Sequence, residues 1–97
     1  MSDLHGSFAL ATDVVVQVIG DEALVLNLHN EVVFTLNATG TRVAQLLIDG
    51  VELHAVASRL AEEYGASVDV IALDVQILAR SLIDRGLLVA RSGGTTA

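Results

Sequence analysis

Three histidines, six serines and twelve carboxylates carry most of what this chain could use for chemistry. A metal site draws on His or Cys at ligand spacing, typically i and i+4 on one helix face. His5, His29 and His54 lie far apart and the chain has no cysteine, so no metal is predicted and each histidine reads as a surface residue. A serine nucleophile needs the glycines of a sharp elbow, and a phosphate cradle needs a Gly-rich fingerprint. Neither surrounds Ser2, Ser7, Ser58, Ser67, Ser81 or Ser92. Glu62, Glu63, Asp69, Asp74 and Asp84 recur at helical spacing, the pattern of solvated faces rather than of an acid and base pair. No catalytic residue and no cofactor are predicted, and the chain reads as not an enzyme.

Composition narrows the partners. Ninety-seven residues, 53% hydrophobic with only two Phe and one Tyr, suffice for one aliphatic core. A formal net charge of −7, with arginines but no lysine, argues against nucleic acid, whose binding rests on clustered cations. The longest apolar runs, such as Leu46-Leu47-Ile48, fall far short of the roughly 18 residues of a membrane span. Met1-Ser2-Asp3-Leu4-His5 lacks a secretory start, so a cytoplasmic protein with no membrane contact is expected. Residues 1–12 show no period and are expected to form a flexible N-terminus, 13–90 the folded domain, and the Gly-containing 91–97 a flexible tail.

Val14, Val16 and Val18 alternate with Val15, Gln17 and Ile19; after Gly20-Asp21-Glu22 the alternation resumes at Leu24, Leu26 and Leu28. His29-Asn30-Glu31 breaks it again before Val32, Phe34 and Leu36. This predicts a three-stranded antiparallel meander. From Asn37 the period becomes that of a helix, and Gly50, Gly65 and Gly86 each follow an apolar-periodic stretch. Three helices are predicted, over about Thr39 to Asp49, Leu53 to Tyr64, and from a Ser67 cap onward, so the fold class is α+β.

On a wheel of about 100° per residue the third helix carries two apolar stripes. Ile71, Val75, Leu78 and Leu82 form the expected core seam. Val70, Leu73 and Ile77 form a second stripe roughly 135° away, flanked by Asp74 and Arg80 and continued by Ser81. Either the other helices bury both stripes, or the second lines a groove. The meander edges, Val14 to Val18 and Val32 to Leu36, also lack the charge or Pro that normally discourages another chain from adding on. About four or five backbone hydrogen bonds at ~0.5 to 1.5 kcal/mol each barely offset an association cost of ~4 kcal/mol or more. Selective capture of a strand therefore needs apolar pockets beside the edge, which a second helix stripe can supply.

In order along the chain stand Leu26-Asn27-Leu28, Leu36-Asn37-Ala38-Thr39-Gly40, Leu47-Ile48-Asp49-Gly50, Leu60 and Tyr64, then Asp74-Val75, Ile77-Leu78, Leu82 and Gly86-Leu87. With these residues, Ala23 through Val89 resembles the PqqD-like family, the recognition elements of ribosomal peptide modification pathways, and most of all the leader-binding proteins of lasso peptide pathways. The resemblance implies a winged helix-turn-helix with a three-stranded meander ahead of three helices. It implies a leader peptide added antiparallel to the third meander strand, in the groove beside the third helix. Carried over by position, Val32, Val33, Phe34 and Thr35 supply the edge, and Val70, Leu73, Asp74, Ile77, Arg80 and Ser81 face the peptide.

The chain departs from the family where Glu31-Val32-Val33-Phe34 replaces a frequent Gly-Arg-aromatic-aromatic turn, and where Ala44 replaces a large aromatic. Val51 stands where a capping Thr is usual, which predicts a poorly capped second helix, and the proline-containing segment common in pyrroloquinoline quinone (PQQ) biosynthesis is missing. The resulting expectation is a non-catalytic module that captures a precursor's leader peptide and presents it to a modifying enzyme or leader peptidase in trans. Two rivals are a winged-helix DNA-binding regulator and a homodimerisation or scaffold module. Asp69, Asp74 and Asp84 outnumber Arg80 and Arg85 on the third helix, which disfavours DNA.

Overall fold

The alternating valines and leucines form three strands, numbered after a short first one, β1 (Phe8–Leu10): β2 (Val14–Ile19), β3 (Glu22–Asn27) and β4 (Val32–Leu36). They pair antiparallel in the order β2-β3-β4. The computed structural model describes residues 6–91. Three helices follow the sheet: α1 (Ala38–Ile48), α2 (Leu53–Tyr64) and α3 (Val68–Asp84), and a short β5 (Leu88–Ala90) closes the chain. An α+β fold with an antiparallel sheet ahead of three helices is therefore what the residues build. The inward side chains of the sheet, among them Val14, Ala23, Val25 and Leu36, share one core with Leu47 of α1, Val56 and Leu60 of α2, and Leu87. Among the described residues no helix is long and apolar enough to cross a membrane.

The flexible start expected for residues 1–12 is corrected over residues 6–12. Phe8 is only 1% exposed, and β1 pairs antiparallel with β5, Phe8 opposite Ala90 and Leu10 opposite Leu88. The clasp continues outward, as Arg91 donates its backbone N–H to the Ser7 carbonyl and Leu53 donates to that of Gly6. A three-residue strand is too short to show a period, while one of the chain's three aromatics fills the core. Arg91, expected to open the flexible tail 91–97, is held in this clasp, and the rest of that tail, like residues 1–5, lies outside the described residues.

Two capping expectations are also corrected. Ser67 occupies the N-cap of α3, but its side chain makes no cap hydrogen bond. Glu52 caps α2 instead of the missing Thr: one carboxylate oxygen accepts from the His54 N–H at 3.0 Å and the other from the Gly6 N–H at 3.1 Å. Gly65 ends α2 at φ 63°, in the left-handed region that glycine enters at little cost. Between α1 and α2, Arg42 forms a two-pronged ion pair with Glu63 at 2.7 and 3.2 Å. Its hydrogen bonds hold the Glu63 carboxyl below the usual carboxylate range.

The core seam of α3 is rotated from the expected one. Val75, Ala79 and Leu82 are buried, whereas Ile71 and Leu78 are only half-buried. This turns the buried line by about 40°. Small residues explain the turn: Ala57 and Ala61 on α2 and Ala79 on α3 are all buried, and α3 packs chiefly on α2.

A buried amide joins the sheet to the end of α3. Asn27, 6% exposed, accepts at Oδ1 from the N–H groups of His29 (2.8 Å) and Asn30 (3.2 Å) and donates from Nδ2 to the Gly86 carbonyl at 3.1 Å. Asn27→Ala strands all three groups, and its expected cost of about 1 to 3 kcal/mol is read from a lowered urea midpoint at unchanged slope. In the same turn Glu31 adopts φ 65°, a conformation that costs an L-residue ~1 to 2 kcal/mol. Glu31→Gly is expected to raise the thermal midpoint and Glu31→Val to lower it, the opposite signs identifying backbone strain rather than lost contacts.

Candidate functional site

Sheet order leaves β4 bonded on one side only, to β3, with its other row of backbone N–H and C=O groups unpaired by the sheet. Alternation turns Val32, Phe34 and Leu36 toward the helices, and the first two pack against the core. Val33 lies on the opposite face, 56% exposed. Because the buried line of α3 is aimed at α2, its other flank stands away from β4 and leaves a groove of about 450 Å³. Phe34 and Leu36 wall it on the strand, Ile71, Asp74 and Leu78 on the helix, and Val43 and Leu60 lie beneath.

The groove is fixed by local contacts. At the Leu36 end, Asn37 caps α1 by accepting from the Gly40 N–H at 2.8 Å. A Cβ on Gly40 would sit 3.2 Å from Leu36 Cδ2, so glycine lets α1 start directly against the strand. This accounts physically for the Leu36-Asn37-Ala38-Thr39-Gly40 sequence. On the strand wall the Arg85 guanidinium lies 4.9 Å from the centroid of the Phe34 ring, a cation–π contact that steadies the aromatic side chain.

The predicted site residues divide into three groups. Phe34, Thr35 and Asp74 line the groove, with Val32 half-buried and Val33 exposed along the same edge strand. Val70 and Ile77, 59% and 57% exposed, lie beyond the helix wall, with Arg80 exposed and Ser81 half-buried. Leu73 turns away to a separate hollow of about 270 Å³ shared with Leu53, His54 and Ala57 of α2. The second stripe is thus open to solvent and almost opposite the buried line. Ile71 and Leu78, read from the sequence as core, form the groove's apolar wall. Their signal was positional: on the wheel both fall within about 60° of Asp74.

His29 and His54 are exposed on separate elements, and His5 lies outside the described residues. Among the described residues no three His, Cys, Asp or Glu side chains come together as a metal site. The arrangement offers backbone hydrogen bonds, an apolar trough and two charges.

Residues 22–88 match the family model of Coenzyme PQQ synthesis protein D (PqqD). The chain belongs to the PqqD family. Two solved structures share the fold of this PqqD-family chain. TbiB1 in complex with the TbiA(beta) leader peptide superposes with a TM-score of 0.78 at 26% identity, over 92% of this chain and 99% of that one. Lasso peptide synthetase B1 complexed with the leader peptide gives a TM-score of 0.79 at 25% identity, over 86% and 98%. Comparison with curated proteins finds no match.

Asn37→Ala removes the cap that sets the Leu36 end of the groove. The expected loss of about 1 kcal/mol is measurable by urea denaturation.

Proposed function

We propose that this protein is a non-catalytic module that captures the leader region of a ribosomally made precursor peptide as an added strand along β4. The observation that carries the reading is the coincidence of a free strand edge with an apolar groove: β4 ends the sheet, and the groove opens beside it. Backbone pairing along β4 supplies register, while apolar leader side chains at alternate positions drop between Phe34, Ile71 and Leu78. The two structures of similar fold, each holding a leader peptide, support the same reading.

Presentation to a partner enzyme is part of the same proposal. A leader held on the outside of the sheet leaves the rest of the precursor free for a modifying enzyme or leader peptidase acting in trans, in the cytoplasm where such precursors are made. A DNA-binding role is disfavoured because α3 sets Asp69, Asp74 and Asp84 against Arg80 and Arg85.

Titration with the leader of the precursor encoded nearest this chain, followed by amide NMR, is expected to shift resonances along β4 and α3. Shifts confined to α1 and α2 would sink the reading. Ile77 and Leu73 are similarly exposed, at 57% and 61%, so either can become Asp without unfolding the domain. Ile77→Asp, about 40° nearer the groove wall than Leu73 on the wheel, is expected to weaken binding by about 1 kcal/mol. Leu73→Asp, which faces α2, is expected to leave affinity unchanged, a contrast that isothermal titration calorimetry resolves.

A further inference from the structure

The groove is not electrically uniform. Asp74 lines it on the helix side, and Arg85, just past the end of α3, sits over the ring of Phe34 on its strand wall. Neither forms an ion pair among the described residues. The polarity has a direction relative to the strand. Ile71 and Asp74, in the first two turns of α3, line the same groove as Leu36 and Asn37 at the end of β4. The end of α3 lies beside the start of β4, since Gly86 is hydrogen-bonded to Asn27, the register partner of Val32. The helix therefore runs opposite to β4, and a peptide added antiparallel to β4 runs the same way as the helix.

We infer that the groove selects an extended peptide by charge order: a Lys or Arg that meets Asp74, apolar side chains in the trough, then an Asp or Glu that meets Arg85. The inference rests on the proposed antiparallel addition of the leader to β4. The two charges stand eleven positions apart in sequence, a rise of about 16 Å at helical spacing. An extended chain covers that distance in about five residues. The expected leader thus carries its cation on the N-terminal side and its acid about five residues later, with apolar anchors at alternate positions between them. A peptide entering backwards meets like charges at both ends, so the same pair also enforces direction.

The test is a display selection of random linear peptides of about twelve residues, long enough to overreach the charge pair. Against the wild-type chain the enriched sequences are expected to show the order cation, apolar, acid. Against Asp74→Arg the N-terminal preference is expected to invert to Asp or Glu while the C-terminal one persists, and Arg85→Glu is expected to do the converse. Changing the selected cation to Glu is expected to weaken binding to the wild type about tenfold and to restore it on Asp74→Arg. Circular dichroism checks that each variant folds, and Asp74→Asn, which loses the preference without inverting it, gives a second reading at the same site. Positional preference separates this pair from the general pull of a chain with net charge −7, which favours cations anywhere. Peptides that shift amides along β4 and α3 but show no charge order, or the reverse order, overturn the inference and leave leader capture standing. Peptides that shift only amides elsewhere, or no enrichment at all, overturn both.

Discussion

The angle between the sheet and the last helix is held by the buried amide of Asn27. A polar side chain at 6% exposure is tolerated only if its hydrogen bonds are made, and this one makes three. Two close the turn that launches β4, and the third takes hold of the Gly86 carbonyl where α3 has just ended. One residue thus fixes where the edge strand starts and where the facing helix stops. Leu87 and Leu88, both buried just past Gly86, hold the helix end from the other side.

The sheet and helices were legible because their patterns are long enough to repeat. Five or six residues of alternation mark β2, β3 and β4, and a stripe such as Leu53, Val56, Ala57 and Leu60 marks α2. The β1–β5 pairing was not, since three-residue strands carry no period and their partners lie some eighty residues apart. Caps depend on a side chain reaching a particular N–H, which residue type alone does not decide. Ser67 stands at its helix start and makes no such bond, while Glu52 makes one and ties Gly6 to the helix with its other oxygen.

The candidate site was half legible for a related reason. A helical wheel assigns angles around α3 but does not say where the core lies. Ala79 decides it: a small buried side chain lets α3 close on α2 and rolls Ile71 and Leu78 to the margin. What looked like core became wall, and one member of the outer stripe, Leu73, ended on the far side. Asp74 sits between the two stripes and borders the groove under either roll.

The clasp between β1 and β5 has a topological outcome. Phe8 and Ala90 are register partners, so the strand-forming ends of the domain emerge at neighbouring points, about 5 Å apart as antiparallel partners are. A unit whose ends meet can be spliced into a surface loop of a larger host without prising the host apart. The same geometry permits β1 and β5 to be tied together and the backbone opened elsewhere. Architecturally it is a portable cassette, joined to its surroundings at one seam.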